Sequence, residues 1–395
     1  MDNLNQDVLE RVLSWLPTSS FFRLTSVSKR WKSAADSASF KLACAAVPSR
    51  DPWFLMLPDP RLNRPSLVFD SAENNWKTLN NLDNHRNSMP VAASGGLVCF
   101  RDALGNFAIS NPLTGSVTQV PPLDPALRSL PLHAIVMTKT SNKLALVLGE
   151  EPNLSFKLYD PKANLWEKET FLRKKHDRGS DEGDLGGENS AVYFLSKAGN
   201  VVSLSTEMQR SPCKQYSSVA LAGSGGEERV CFVSSAGRVV ECSPGGGWFR
   251  EYPRLLPALH EYSLDVVECG GRLLVVLLSE FCESASLRVW RYDEGEGEWR
   301  KVATMPAAMS HEWYGKKADI NCVGAGGERI MVCLSSAETG YNNGNGNGEN
   351  GYGSSCVLCD VEKDKWTELP QCCVDGKVVD FVSAFSFEPR IEACV

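Results

Sequence analysis

Two textures of apolar spacing divide the chain. Between residues 4 and 40 the apolar positions fall three and four apart. Val8, Leu9, Val12, Leu13 and Leu16 recur at helical spacing until Pro17, which lacks an amide hydrogen and ends the run. Asn5 stands where an N-cap is wanted, and Asp7 falls in the first turn, where a carboxylate meets the positive end of the helix dipole. Thr18 or Ser19 is placed to cap a second helix carrying Phe21, Phe22 and Leu24. A third helix follows around residues 27–35, with Trp31 on its apolar side. Three short helices of this apolar content cannot bury it all among themselves. The surplus packs on the rest of the chain or on another protein.

From Trp53 onward the spacing changes to short apolar runs broken by Gly, Pro and Asn. Residues 97–110 (LVCFRDALGNFAIS) line up with 191–204 (AVYFLSKAGNVVSL) and with 229–242 (RVCFVSSAGRVVEC), each reading as strand, glycine-centred turn, strand. Downstream of such hairpins an acidic residue is followed six positions later by tryptophan: Asp70 and Trp76, Asp160 and Trp166, Asp293 and Trp299, Asp360 and Trp366. Asn111/Val117 and Cys242/Trp248 are degenerate copies, and Ser205/Ser211 is the weakest. The Asp side chain suits a turn whose backbone it hydrogen-bonds, and the Trp suits an outer strand wedged against the next unit. Double glycines at 95–96, 186–187, 225–226, 270–271 and 326–327 precede many of these units. A period near fifty residues with these marks resembles the kelch repeat, and stacked four-stranded blades of that kind build a β-propeller.

The N-terminal residues carry a second resemblance. Leu4, then Asp7-Val8-Leu9-Glu10-Arg11-Val12-Leu13-Ser14 and Leu16-Pro17, resemble the opening of the F-box family. Phe22-Arg23, Ser26-Val27-Ser28-Lys29-Arg30-Trp31-Lys32-Ser33 and Ser39-Phe40 resemble its second half. Asn5 replaces a usual proline and Ser28 a common cysteine, and neither change removes an apolar contact. The resemblance implies docking on a Skp-family adaptor and, through it, on cullin and RING subunits. Leu4, Val8, Leu9, Leu13, Leu16 and Pro17 are the expected adaptor anchors, with Leu24 and Val27 next. Trp31 fits either the anchor set or the internal core. The whole architecture resembles plant F-box/kelch-repeat proteins, including the group around the "unusual floral organs" protein. Residues 111–117 (NPLTGSV) and 286–290 (SLRVW) carry the closer likeness.

The expected fold is therefore α+β and multidomain: a small all-α F-box of three helices, then an all-β kelch-type propeller. Seven blades are preferred, with six as the alternative. The F-box is expected over residues 1–45, a linker over 46–52 and the propeller over 53–390. A C-terminal strand at 378–387 closes the first blade, and residues 340–353 form a Gly/Asn-rich flexible insertion. Asp70, Trp76, Asp160, Trp166, Trp248, Asp293, Trp299, Asp360 and Trp366 are read as blade-structural.

Charge and composition narrow the function. With net charge −7 and no basic run longer than Arg173-Lys174-Lys175, direct nucleic-acid binding is unsupported. The first residues lack the basic-then-apolar order of a secretory signal, and the longest apolar runs are strand-sized, so no membrane association is expected. The expected location is nucleus or cytoplasm, without secretion. Most of the fourteen cysteines sit inside apolar runs, and the single Cys-x-x-Cys, Cys356 to Cys359, has no second ligand pair nearby. They read as structural thiols, with no metal and no cofactor. Motifs of hydrolases, zinc proteases, P-loops and dinucleotide sites are absent, and an Asp recurring once per blade suits a turn better than catalysis.

The chain thus reads as a non-enzymatic substrate-recognition adaptor of an SCF-type ubiquitin ligase. Its propeller face is expected to capture an unidentified protein for degradation. An F-box protein acting outside the ligase, as a binding platform or transcriptional co-regulator, is the alternative. His85, Arg86, Arg128, His133, Arg254, His260, Tyr262, His311, Trp313 and Tyr314 fall in or near the expected inter-blade connections and form the candidate substrate face.

Overall fold

The computed structural model describes residues 5–57, 66–82, 88–175, 194–195, 201–202, 219–255, 262–337, 352–381 and 383–394, less single residues or short breaks at 36, 80, 140, 151, 224–226, 235–237, 282 and 317. The expected insertion over 340–353 lies almost wholly outside them, as does most of the unit around 170–211. The chain forms two compact units. One comprises Met1–Leu55, Pro65–Pro122 and Ser386–Val395; the other comprises Met56–Arg64 and Leu123–Phe385.

The N-terminal segment forms four helices: α1 (Gln6–Ser14), α2 (Thr18–Val27), α3 (Lys29–Ala35) and α4 (Ala38–Ala45). The sequence pattern predicts three. The fourth exists because Ser37 caps it, its hydroxyl accepting from Phe40 N at 3.0 Å. Ser28 in extended conformation separates α2 from α3.

Six blade-like sheets follow among the described residues, the smaller of the two expected numbers. In blade 1 the order from the outer edge is Asn75–Thr78, Leu67–Asp70, Trp53–Leu57, Ser383–Phe387. The C-terminal strand thus begins at Ser383, while Lys377–Val378 pairs separately with Cys373–Val374. Blade 2 is a meander of Ser88–Ser94, Leu97–Asp102, Phe107–Ser110 and Val117–Gln119.

Blades 3 to 6 belong to the second unit. Blade 3 ends in Asn153–Asp160, whose outer edge is shared by Leu165–Trp166 and Thr170–Phe171. Blade 4 runs Val219–Ala222, Arg229–Val233, Val239–Ser243, Trp248–Glu251, with Arg173–Lys174 added in parallel to its last strand. The short pair Phe194–Leu195 with Val201–Val202 is a separate two-stranded sheet. Blades 5 and 6 are complete meanders over Tyr262–Thr304 and Asp319–Glu368. Apolar side chains fill the space between neighbouring blades of this unit: Val136, Val147 and Phe156 meet Phe232 and Phe249, and Leu287 and Val289 meet Val332 and Val357.

The acidic residue of each repeat closes the turn of an outer hairpin. Asp70 Oδ1 accepts from the amides of Ala72 and Glu73, Asp160 Oδ1 from Lys162 and Ala163, and Asp293 Oδ1 from Gly295 and Glu296. Asp360 Oδ1 accepts from Lys363 N. Four residues after each Asp the backbone takes positive φ, at Asn74 (52°), Asn164 (51°), Gly297 (73°) and Asp364 (47°). This conformation favours Gly, Asn and Asp, the residue types found there. The hairpin then sets each Trp directly across from the residue preceding the Asp: Trp76 from Phe69, Trp166 from Tyr159, Trp299 from Tyr292. Their ring centroids lie 5.0, 5.5 and 5.3 Å apart. Trp299 also reaches blade 4, where its Nε1 donates to Pro253 O at 2.8 Å.

Candidate functional site

The four helices pack around Leu9, Leu13, Phe21, Ala34, Phe40 and Cys44, with Phe21 and Phe40 stacked 5.0 Å apart. Leu9 and Leu13 are 4% and 2% exposed. Of the expected adaptor anchors these two hold the helices together, which corrects their placement on the outer face. Leu16 and Trp31 are half-buried against the same core, Leu24 is half-buried, and Pro17 is exposed at the start of α2. Leu4 and the side chain of Val27 lie outside the described residues.

The outer face of α1 carries a different stripe. Val8, Val12 and Trp15, spaced four and three apart, are 47%, 55% and 62% exposed. Phe22 and Leu42 add 41% and 73% exposed apolar side chains on α2 and α4. Of these five only Val8 is among the anchors expected from sequence. The signal was present, because 8–12–15 and 9–13–16 are separate stripes about 100° apart around a helix, and only one of them can face inward. Trp15 also lines a pocket of about 130 Å³, with Leu16, Pro17, Val47, Arg50 and Pro389.

The inward side of this helical cluster is fastened within its own unit. Arg50 donates to Ser14 O at 2.8 Å and Leu16 O at 3.1 Å, satisfying carbonyls left open at the end of α1. On α2, Ser20 Oγ and Arg23 both donate to Glu73 in the outer turn of blade 1, at 3.1 and 2.5 Å. Lys77 closes on the same carboxylate at 2.7 Å. The Lys77 hydrogen bond, with that from Ser20, pulls the Glu73 carboxyl down to about 2 against burial.

The C-terminal residues complete the fastening. Thr18 Oγ1 donates to Pro389 O at 2.7 Å, Ile391 packs on the helical core, and Arg390 donates to the carbonyls of Val47 and Pro48. Asn111 of blade 2 donates to both Arg390 O and Ala393 O at 2.9 Å. The Gly95-Gly96 turn makes room for this tail: a Cβ on Gly96 would lie 2.7 Å from Arg390 Cβ.

Residues 1–43 match the F-box domain family, and residues 68–309, more than half the chain, match the KIB1-4 beta-propeller family. The chain is 50% identical to F-box only protein 13 of Arabidopsis thaliana across its whole length and 86% of that protein's. It belongs to the plant F-box proteins with a KIB1-4 β-propeller. It is also 23% identical to the Arabidopsis thaliana protein UNUSUAL FLORAL ORGANS, over 93% of this chain and 78% of that one. An F-box/kelch-repeat protein of the same plant is 35% identical, over 29% of this chain and 28% of its own. F-box domains in general bind Skp-type adaptors, and the exposed α1 stripe lies on the F-box of this chain.

The expected recognition residues are scattered over several connections. His85, Arg86 and His260 lie outside the described residues, and Tyr262 opens blade 5 with its backbone opposite Ser279. Arg128 ends the short helix Pro125–Arg128, exposed, with its Nε donating to Leu123 O at 3.1 Å. Arg254 is exposed after the last strand of blade 4. His133 belongs to a blade 3 strand, its Nε2 donating to Gly149 O at 2.6 Å and its ring 5.5 Å from Phe232. His311 and Tyr314 are brought together, rings parallel at 6.1 Å and both exposed. Trp313 between them turns inward: it is 3% exposed and joins the blade 5–6 core, with Lys316 Nζ 5.3 Å over its ring. It is the post on which the His311–Tyr314 turn is built.

Among the described residues no group of three or more His, Cys, Asp or Glu is arranged to hold a metal ion. No described helix is long and apolar enough to cross a membrane.

Proposed function

We propose that this chain is the substrate-recognition subunit of an SCF-type ubiquitin ligase, itself non-catalytic. Its F-box, taken as residues 1–45 before a short linker at 46–52, would dock on a Skp-family adaptor and through it on cullin and RING subunits. The observation that carries this reading is the stripe of Val8, Val12 and Trp15 on an F-box helix, 47–62% exposed. Soluble domains seldom leave such side chains in one row unless a partner covers them. The propeller over 53–390 would then hold the protein to be ubiquitinated and passed to the proteasome, in the nucleus or cytoplasm. Exposed Arg254, Arg128, His311 and Tyr314 are the groups best suited to contact it.

Reconstitution with a purified Skp adaptor and cullin tests the reading. Wild-type chain is expected to form a stoichiometric complex, and Val12→Asp with Trp15→Asp is expected to abolish it while leaving the fold intact. If the wild-type chain binds no adaptor, the ligase reading fails and a platform role outside the ligase takes its place. If the double variant binds as wild type, docking uses another surface.

A further inference from the structure

Two thiols in blade 6 stand outside the surfaces described so far. Cys333 and Cys356 are directly opposed on the antiparallel strands Arg329–Ala337 and Tyr352–Asp360. The Cys356 thiol donates to Cys333 Sγ at 3.4 Å. Residues opposed in an antiparallel pair have Cα atoms about 4.5–5.5 Å apart, within the range of about 4.4–6.8 Å that a disulfide spans. Joining these sulfurs therefore leaves the strand register as it is.

Access favours an ordered reaction. Cys356 is partly exposed and Cys333 is fully buried behind it. Both lie on the sheet face opposite Ile330, Val332, Leu334, Val357 and Cys359, which fill the core toward blade 5, so a new bond does not disturb that packing. Other thiols are placed differently. Cys231 faces Glu241 and Cys242 faces Val230, so these two are not opposed. Burial pushes the Cys44 thiol up to about 11 and the Cys269 and Cys359 thiols up to about 12, which leaves them almost no reactive thiolate.

We propose that Cys333 and Cys356 form a reversible disulfide under peroxide, a redox staple across the middle hairpin of blade 6. The Cys356 thiolate attacks hydrogen peroxide; an S–O bond forms, the O–O bond breaks, and the departing hydroxide takes up the thiol proton as water. Cys333 then attacks the Cys356 sulfenic sulfur; the S–S bond forms, the S–O bond breaks, and a second water leaves with the Cys333 proton. Two thiols lose two electrons in total, and one peroxide is reduced to two waters. A dithiol reductant reverses the bond. The staple closes the chain between the two strands, so it stabilises blade 6 chiefly by restricting the unfolded chain.

The test treats the folded full-length chain with equimolar hydrogen peroxide, blocks remaining thiols by alkylation in denaturant, and maps cross-linked peptides by mass spectrometry. The expected dominant product joins Cys333 to Cys356, disappears with dithiothreitol, and raises the unfolding temperature by a few degrees. Cys333→Ser is expected to leave a Cys356 sulfenic acid that a dimedone probe traps, and Cys356→Ser to leave Cys333 unoxidised. Mapping on the wild-type chain stands even where a variant misfolds. Oxidation that stops at Cys356 sulfinic acid, that joins other thiols such as exposed Cys373 and Cys394, or that links the pair only after denaturation would overturn the proposal.

Discussion

Arg23 of the second F-box helix lies 2.5 Å from Glu73 in the outer turn of blade 1, and Lys77 of the same blade holds the carboxylate's other oxygen at 2.7 Å. The helix is thereby tied to the first repeat through one side chain that is only 13% exposed. Because Arg23 is itself 68% exposed, its share of the interaction is largely screened, and Lys77 and Ser20 carry more.

Glu73→Gln is therefore expected to cost about 1–2 kcal/mol near neutral pH. The carboxyl falls from an ordinary 4.5 to about 2 in the folded chain, so its contribution is fully present above about 4.5 and fades as pH falls toward 2. Denaturant midpoints of the two proteins should differ at pH 7 and converge between pH 4.5 and 2. A gap that stays constant across that window would mean the carboxylate charge does not hold the helix.

Trp15 and Leu13 separate docking from folding. Trp15→Ala is expected to weaken adaptor binding by ten-fold or more, about 2 kcal/mol, while leaving the unfolding midpoint nearly unchanged. Leu13→Ala, inside the core, is expected to cost about 2–5 kcal/mol of stability and to lose binding only because the helices loosen. Calorimetric titration with the adaptor beside thermal unfolding distinguishes the two. A Trp15 variant that binds normally would remove the stripe from the interface.

Arg250 tests a buried charge. Its side chain is 10% exposed; its Nε donates to Glu241 at 2.5 Å, its other nitrogens reach Glu294, and its guanidinium lies 4.6 Å over the Tyr252 ring. Once Arg250 is gone, Glu241 keeps Arg229, at 2.8 Å, and the Tyr252 hydroxyl among the described residues. Arg250→Ala is expected to destabilise the chain by about 3 kcal/mol, and Arg250→Lys to recover only part, because a single ammonium cannot replace the fork. Chemical denaturation of the three proteins checks this.

The sequence made the repeats legible where one residue performs one local task. Asp70, Asp160, Asp293 and Asp360 each accept turn amides, and Asn74, Asn164 and Asp364 meet the positive φ that follows. Such roles depend only on near neighbours in the chain, so the pattern reveals them. The helical segment was legible as apolar surface but not in its facing. Leu13 and Val12 are adjacent and equally apolar, and only the packing of Phe21 and Phe40 decides which turns inward. Trp313 follows the same rule: a tryptophan in a polar connection reads as a contact residue, and only the blade 5–6 core beneath it turns the ring inward. Contacts between distant segments left no trace at all: nothing near Arg390 announces Val47 or Asn111.

Asn111 shows why an apparently degenerate repeat is the informative one. It occupies the position held by Asp in blades 1, 3, 5 and 6, and its Oδ1 does the same work, accepting from Leu113 N at 2.9 Å. Its Nδ2 does what no aspartate can, donating to Arg390 O and Ala393 O. Asn111 is fully buried, so Asn111→Asp would keep the turn yet set a carboxylate against two carbonyl oxygens, losing two hydrogen bonds at a cost of about 2–4 kcal/mol. The loss should appear first in the tail and in the segments it brackets: faster hydrogen exchange over 388–394, and freer proteolysis over 46–52, where Arg390 holds the Val47 and Pro48 carbonyls. Arg390→Ala should reproduce the effect at 46–52, since it frees the same two carbonyls. Unchanged exchange at the tail in Asn111→Asp would show that blade 2 does not hold it.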